Sequence, residues 1–421
     1  MKKALSLLLV LAMVVGMCAM FSGCKKDKDE EKGSVYYLNF KPEFDTALQD
    51  LAKKYTEKTG IEVKVVTAAS GDYSNSLTAN IKDVTIFNVG NAAGLADWDS
   101  YCLDLTDSAI AKELATNEFN LYNDKGELKA IGNCYESFGI IVNTKLLEQA
   151  GHKLADIKDY ASLKAVVEDI HGRAADLGFD AFTTSGLADS SSWRFSGHLA
   201  TLPLHYEGVK SAVATITGEK LDLFKNVWDL YINNAAADPK TLTNDSDAAA
   251  EFKAGKAVFY QNGTWEYAGL KEAGMTDDQL AMIPIYCGAE GEQNAALCSG
   301  TENCWAINSK VSEADQKASI DFLVWLVSDK EASAVYVEQL GAVPFKNCPA
   351  STNKFVADGN AMLAAGKKAV SWAFNYTPNV DAWRATVVTA LAAYSAGDKG
   401  WDEVVNAFVD GWAYEYQQVN G

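Results

Sequence analysis

The first part of the chain alternates between strand-like and helix-like hydrophobic patterns. Apolar and polar residues alternate over residues 35–40, which predicts a β-strand. Residues 43–58 repeat apolar side chains every three or four positions, which predicts a helix that Gly60 ends. Residues 61–67 again favour a strand, so the chain opens with a β-α-β unit and therefore with parallel strands. A helix over 73–81 and a strand over 84–87 continue the pattern.

The same alternation begins again in the middle of the chain. Residues 135–143 predict a strand that leads into a helix. The remaining predicted helices cover 163–177, 221–233, 312–326 and 331–340, and the remaining strands cover 179–184, 257–260, 282–284 and 298–308. A helical tail, interrupted near residues 375–378, fills residues 361–418. Two successive α/β units predict a protein of two lobes.

The stretch of residues 251–267 carries the strongest local signal for a binding site. A helix stops at Gly255, a strand covers 257–260, and Asn262-Gly263 is expected to turn the chain into another helix. Trp265 then follows the carboxyl end of a strand, where ligands bind in open α/β sheets. Its indole offers a flat apolar face to a ligand, although packing beneath a loop is an equally ordinary use.

Length and charge narrow the class of protein. A chain of 421 residues exceeds one ordinary core and predicts two lobes. The formal net charge is -19, and it becomes about -21 once Lys2 and Lys3 of a removable leader are lost. Because phosphates repel such a chain, direct binding to nucleic acid or to an anionic membrane surface is disfavoured.

The amino terminus predicts export and lipid attachment. Residues 1–23 combine Lys2-Lys3 with an apolar run and small residues, as a signal peptide does. Phe21-Ser22-Gly23-Cys24 resembles a bacterial lipobox, in which Cys24 is acylated after cleavage. An ordinary secretory leader is the alternative. Residues 24–34 are polar and predict a tether between the anchored Cys24 and the folded body.

Cysteine and histidine spacing argues against a structural zinc site. No C-x-x-C pair and no H-E-x-x-H motif occurs among the eight cysteines and four histidines. The sequence is compatible with two alternatives for the remaining cysteines: a disulfide among Cys287, Cys298 and Cys304, or buried free thiols.

The order of motifs in this chain resembles that of extracellular solute-binding proteins of bacterial ABC importers, the family that includes maltose-binding protein. After the lipobox the resemblance rests on these motifs: Gly139-Ile140-Ile141-Val142-Asn143, Phe252-x-x-Gly255-Lys256-Ala257-x-Phe259, Asn262-Gly263-x-Trp265, Ala318-Ser319-x-x-Phe322-Leu323-x-Trp325-Leu326 and Gly341-x-Val343-Pro344. It implies an α/β, two-lobe periplasmic-binding-protein-like fold of type II. Each lobe is then a mostly parallel sheet flanked by helices, with a ligand cleft between the lobes that closes by hinge rotation.

The same resemblance implies a division of the chain and a set of partners. Lobe 1 is expected to comprise 35–139 and 291–346, and lobe 2 to comprise 140–290 and the helical tail 347–421. The expected partners are a carbohydrate, the transmembrane subunits of an ABC permease, and the outer face of the cytoplasmic membrane through lipid on Cys24. A monomer without cofactor, metal or catalytic residues is expected.

Candidate ligand-binding residues are carried over from the resemblance position by position. They are Lys41, Glu43, Asn88, Asn91, Glu136, Trp193, Arg194, Asn262, Trp265, Glu266, Tyr376 and Trp383. Aromatic rings stack on the apolar faces of sugars, and amides, carboxylates and guanidinium groups bind their hydroxyls. This set of side chains therefore favours a carbohydrate, in particular an oligosaccharide.

Alternative functions remain at this point. A peptide, a polyamine or a metal complex could replace the sugar as the bound solute. An exported glycoside hydrolase would need a carboxylate pair, for which Glu136 and Glu266 are candidates. Ser351-x-x-Lys354 and Lys58-Thr59-Gly60 match penicillin-binding motifs, but they occur in the wrong order and no S-D-N motif accompanies them.

Overall fold

The computed structural model describes residues 32–68, 72–117, 119–188, 191–242, 247–301 and 304–420. The predicted signal peptide, Cys24 and most of the tether lie outside the described residues. The strands, in chain order, are β1 (Val35–Asn39), β2 (Val63–Thr67), β3 (Ile86–Val89), β4 (Leu121–Tyr122), β5 (Leu128–Gly132), β6 (Glu136–Asn143), β7 (Asp180–Phe182), β8 (Ala257–Gly263), β9 (Leu280–Ile283), β10 (Ala295–Gly300), β11 (Cys304–Ile307) and β12 (Lys368–Ser371).

Helices occupy most of the remaining described chain. They are α1 (Asp45–Thr59), α2 (Tyr73–Asn80), α3 (Ala92–Trp98), α4 (Thr144–Gln149), α5 (Tyr160–Gly172), α6 (Ala174–Leu177), α7 (Thr201–Glu207), α8 (Leu221–Ile232), α9 (Ala248–Lys253), α10 (Glu266–Glu272), α11 (Glu313–Ser328), α12 (Lys330–Leu340), α13 (Lys354–Ala364), α14 (Val380–Ser395) and α15 (Trp401–Asn420). Gly60 ends α1 as predicted, with a φ of 73° that a side chain would disfavour.

The strands form two separate sheets. The first has the order β2-β1-β3-β11-β5-β4, and the second has the order β12-β10-β6-β8-β7 with β9 also paired to β6. The predicted α/β fold with two sheets is confirmed. Both sheets are mixed, however, whereas mostly parallel sheets were expected: β11 runs antiparallel to β3 and β5, and β6 runs antiparallel to β8, β9 and β10.

The mixed strand directions follow from the path of the chain between the sheets. The chain leaves the first sheet after β5, returns to it as β11, and leaves again after α12 to form α13 and β12 of the second unit. A strand that enters from the other sheet is not bound by the right-handed crossover that makes neighbouring β-α-β strands parallel. The expected lobe boundaries near residues 139, 290 and 346 stay a prediction.

Helices cover both faces of each sheet, so each sheet has its own hydrophobic core. On the first sheet, α1, α11 and α12 bury side chains such as Leu48, Phe322 and Tyr336 on one face, and α2 and α3 cover the other. On the second sheet, α5, α7, α8, α14 and α15 cover one face, and α9, α10 and α13 cover the other. Burying one large apolar side chain stabilises the fold by about 1.5–3 kcal/mol.

Three local features differ from the sequence expectations. Asn262 and Gly263 do not form a turn, because they pair with Gly139 and Phe138 as the last residues of β8. The short strand β12 lies within residues 361–418, where a helix was expected, because three of its four residues are exposed and carry no strong strand pattern. Residues Arg194–Leu199, for which the sequence predicted no helix or strand, form a π-helix that continues into α7.

All six cysteines among the described residues are free. Five of them are buried, including Cys287, Cys298 and Cys304, so the free-thiol alternative holds in this structure. Within the described ranges, no helix has both the length and the apolar character needed to cross a membrane.

Candidate functional site

A cavity of about 530 Å³ opens between elements of the first and second sheets. It is lined by Phe40, Lys41, Pro42, Glu43, Glu136, Trp193, His198, Trp265, Glu266, Ala268, Gly269, Glu272, Gln339, Trp372, Phe374 and Arg384. The first-sheet side contributes the loop after β1 and one residue of α12, and the second-sheet side contributes most of the rest. Apolar rings and ionisable groups therefore share one opening.

The loop after β1 is shaped by its own hydrogen bonds. The Asn39 side chain donates to the carbonyl oxygen of Lys41 at 2.7 Å and accepts from the Lys41 amide at 3.1 Å. Pro42 then begins a short 3₁₀ helix, for which its fixed φ is suited. These contacts hold Lys41 and Glu43 at the cavity wall.

Lys41 and Glu136 form a buried ion pair at the cavity. The Lys41 ammonium donates to both carboxylate oxygens of Glu136 at 2.6 Å, and it lies 3.5 Å from Glu43. Burial lowers the pKa of Lys41, but the carboxylates of Glu136 and Glu43 more than offset this, so that its pKa lies above the usual value. Each member of the pair compensates the charge that the other brings into the buried site.

An aromatic wall forms on the second-sheet side. The rings of Trp193 and Trp265 lie 6.1 Å apart, and His198 lies within 5.6 Å of each. His198 belongs to the π-helix and stacks on Phe138 of β6 at 3.8 Å. Ring walls of this kind are suited to the apolar faces of a sugar.

Gly263 makes the position of Trp265 possible. A Cβ atom at this position would lie 2.2 Å from the Trp265 ring, closer than any side chain allows. The indole therefore lies against the backbone at the end of β8. The glycine that the sequence assigned to a turn instead provides room for the aromatic wall.

His198 contributes a neutral ring to this wall. Burial lowers its pKa well below the usual value, and the nearby positive charges of Arg384 and Arg194 lower it further. The Gln261 side-chain amide contacts its Nδ1 at 2.9 Å. At neutral pH this imidazole therefore adds no charge to the cavity.

Glu266 is the first residue of α10, directly after Trp265 in the chain, and lines the cavity. Burial raises the pKa of its carboxyl above the usual value, and the negative charge of Glu43 adds to the rise. Arg194, Lys253 and a hydrogen bond with Tyr260 oppose it. Asn262 donates to Glu266 Oε1 at 3.0 Å, which fixes the orientation of the carboxylate.

Six of the predicted site residues line the cavity: Lys41, Glu43, Glu136, Trp193, Trp265 and Glu266. Two others lie directly behind it. Asn262 is buried in β8 and contacts Glu266, and Arg194 is buried in the π-helix, where it donates to the carbonyl oxygens of Gln261 and Thr184. These two residues orient the wall from behind.

The remaining four predicted residues lie elsewhere. Asn88 and Asn91 line an adjacent cavity of about 310 Å³, which shares Phe40 and Arg384 with the first one. Tyr376 is half-buried against the core of the second sheet. Trp383 is fully buried rather than at the cleft, because its ring packs 4.7 Å from Phe408 and its indole nitrogen donates to the Phe408 carbonyl.

Several cavity residues were not predicted from the sequence. They are Phe40, His198, Glu272, Gln339, Trp372, Phe374 and Arg384. Trp372 and Phe374 follow the unpredicted strand β12. Arg384 is the neighbour of Trp383, so the sequence located the correct helix but chose the side chain that faces inward. Which of the lining residues contact a ligand stays a prediction.

No group of three or more His, Cys, Asp or Glu residues in the described part of the chain is placed to hold a metal ion.

Comparison with known proteins gives one family and many similar structures. A family model described as bacterial extracellular solute-binding protein matches residues 50–364. No curated protein matches the sequence. The similar structures named below are 15% to 20% identical to this chain, and at this level their similarity shows a shared fold.

Three of these structures illustrate how similar their folds are to that of this chain. RafE in complex with raffinose superposes with a TM-score of 0.71 at 16% identity, covering 91% of this chain and 99% of RafE. A chitin oligosaccharide binding protein superposes with a TM-score of 0.68 at 15% identity, covering 92% of this chain and 99% of that protein. The GacH receptor of Streptomyces glaucescens, solved both unliganded and in complex with acarbose, superposes with a TM-score of 0.66 at 20% identity. The superposition covers 92% of this chain and 99% of GacH.

Replacing Lys41 with Met should destabilise the protein by about 3–5 kcal/mol, because the buried Glu136 carboxylate then lacks its counter-ion. The measurement is urea-induced unfolding. The double variant Lys41→Met, Glu136→Gln should recover most of the loss, since no buried charge remains uncompensated. A single variant that lost less than about 1 kcal/mol would show that the pair is not compensating as the geometry indicates.

Glu266 should make stability fall as pH rises. Burial raises its pKa in the folded protein above the unfolded value of about 4.3. Its favourable contribution to the free energy of unfolding is therefore complete below pH about 4.3 and is lost as the pH rises through the folded-state pKa. Urea unfolding of the natural protein and of Glu266→Gln over a pH series measures this. The stability of the natural protein relative to the variant should decline across this window, and a difference independent of pH would contradict the assignment.

Proposed function

The chain belongs to the bacterial extracellular solute-binding proteins, and we propose that it captures a carbohydrate for an ABC importer. The observation that carries the proposal is the cavity between the two sheets. There the rings of Trp193, Trp265 and Trp372 adjoin the carboxylates of Glu43 and Glu266. A saccharide presents both apolar C–H faces and hydroxyl donors, so one ligand uses both kinds of wall.

The proposed mechanism is closure of the two lobes around the sugar. Side chains from the first-sheet loop and from the second-sheet wall both reach the cavity, so a ligand that contacts both favours the closed arrangement. The closed form then delivers the ligand to the permease. The similar structures support a carbohydrate, because those named above bind raffinose, chitin oligosaccharide and acarbose, and we extend that to an oligosaccharide here.

Binding rather than hydrolysis fits the carboxylates best. A retaining or inverting glycosidase needs one carboxylate as acid and another as nucleophile or base, both free to act on the substrate. Glu136 has both of its oxygens engaged by Lys41 at 2.6 Å. It therefore serves to hold the loop rather than to attack a glycosidic bond.

Lipid on Cys24 is proposed to anchor the protein to the outer face of the cytoplasmic membrane. The lipobox-like sequence before Cys24 and the polar segment after it support this. The tether would keep the monomeric binding body close to its permease.

Replacing Trp265 with Ala should weaken saccharide affinity by about 1–3 kcal/mol, because the ring would no longer stack on the ligand. A thermal-shift panel of malto-, cello-, chito- and galacto-oligosaccharides from one to six units identifies the ligand, and calorimetry measures its affinity. Trp325→Ala is the matched control, since Trp325 packs between first-sheet helices far from the cavity.

Three outcomes would contradict the proposed function or the role of Trp265 in it. A folded natural protein that forms no complex with any saccharide in the panel would end the proposed function. Cleavage of the bound saccharide, followed by chromatography, would identify an enzyme instead. If Trp265→Ala lost stability but kept its affinity, the ring would belong to the core.

Replacing Cys24 with Ala should move the protein from the membrane fraction to the soluble extracytoplasmic fraction, because the acylated thiol is lost. Immunoblotting of the two fractions measures this. Cys348→Ala serves as the control, since that cysteine lies in the folded body. Membrane retention of the Cys24 variant would contradict the anchor.

A further inference from the structure

The side chains that line the cavity between the two sheets include more carboxylates than cations. Four carboxylates line it, from Glu43, Glu136, Glu266 and Glu272, against the two cations Lys41 and Arg384. His198 is neutral because burial depresses its pKa. The side chains that line the cavity therefore carry an excess of negative charge, within a chain that is itself strongly acidic. Arg194 and Lys253, which do not line the cavity, offset part of it at Glu266.

Both cations already have partners in the protein. Lys41 donates to Glu136 at 2.6 Å and lies 3.5 Å from Glu43. Arg384 lies 3.7 Å from Asp381 and 5.3 Å from the centre of the Phe374 ring. The positive charges that act on Glu266 come instead from Arg194 and Lys253, which do not line the cavity.

Two of the carboxylates come from opposite sides of the cavity. Glu43 belongs to the loop after β1 of the first sheet, and Glu266 begins α10 of the second unit. They are close enough for the charge of Glu43 to raise the pKa of Glu266. A positive group placed between them would relieve that repulsion and would hold the two sides together.

The aromatic wall adds to the attraction for a cation. Indole faces carry negative potential, and Trp265 already has the Lys41 ammonium 5.9 Å from its ring centre. Trp193 and Trp372 offer further rings in the same cavity. A ligand that combined a sugar face with an ammonium group would use the rings and the carboxylates together.

We propose that the cavity selects an amino sugar, a saccharide whose free amine is protonated, with the ammonium between Glu43 and Glu266 and a sugar face on the tryptophans. This inference rests on the proposed carbohydrate function. Uronic acids, sialylated sugars and sugar phosphates are disfavoured, because each adds negative charge to a site that already has an excess.

Three tetrasaccharides with one β-1,4-linked backbone test the inference. Cellotetraose carries hydroxyl groups at position 2, tetra-N-acetylchitotetraose carries acetamides, and fully deacetylated chitotetraose carries ammonium groups. Calorimetry on the full-length protein at pH 6 should show the deacetylated member binding at least about tenfold tighter than the other two. Raising the salt concentration should narrow that difference.

Glu266→Gln provides the test of the site itself. The variant keeps the shape and an oxygen that can accept from Asn262, but it removes the charge. Its affinity for deacetylated chitotetraose should fall about tenfold more than its affinity for the neutral tetrasaccharides, because only the ammonium loses an opposite charge while a hydroxyl keeps an amide oxygen as its acceptor. Glu43→Gln should act in the same direction and replaces it if Glu266→Gln does not fold.

Glu168→Gln is the matched control. Glu168 is an exposed carboxylate of α5 outside the cavity, so the variant changes the net charge equally without touching the site. Equal losses in Glu168→Gln and Glu266→Gln would show long-range attraction rather than a local contact, and would overturn the assigned position of the ammonium.

The remaining outcomes separate the two proposals. If a neutral saccharide binds as tightly as or more tightly than the deacetylated member, the amino-sugar inference fails and the carbohydrate function stands. If spermidine binds and no saccharide does, both fail and the solute is a polyamine. If the deacetylated member binds best and Glu266→Gln removes that preference, both hold.

Discussion

The buried contact between Lys41 and Glu136 is the interaction on which the rest of the site depends. It joins the loop after β1 to the first residue of β6, where the chain passes from the first sheet into the second. A carboxylate at this depth requires a cation, and the cation requires the loop conformation that Asn39 holds. The positions of Glu43 and the neighbouring cavity wall follow from that requirement.

The hydrogen-bonded surroundings of each carboxylate give the site its chemical character. Glu136 is paired with a cation inside the protein, whereas Glu266 has hydrogen bonds with Asn262 and Tyr260 and more distant cations. The same residue type therefore has two environments in one cavity: the Glu136 side chain holds the loop, and the Glu266 side chain is the one proposed to contact a ligand. Burial and pairing, more than residue identity, decide between them.

The sequence was sufficient for the fold because long amphipathic helices and the opening β-α-β unit leave strong periodic signals. It was insufficient where tertiary pairing overrides local preference. Asn262-Gly263 is a strong turn signal, yet pairing with β6 extends β8 through both residues. Trp383 and Arg384 show the same limit within a helix: the pattern identifies α14, but only packing against α15 determines which side chain turns inward. His198 could not be found, because no sequence pattern marks the π-helix that brings it to the wall.

The position of β11 has a consequence for how the polypeptide acquires its shape. This strand lies in the middle of the first sheet, between β3 and β5, although more than 160 residues separate it from β5 in the chain. The amino-terminal sheet therefore lacks an inner strand until roughly three quarters of the polypeptide has been synthesised. Such distant pairing is slow and discourages premature folding. A first sheet that cannot be completed until late in synthesis suits a member of an extracellular family, whose polypeptide has to cross a membrane.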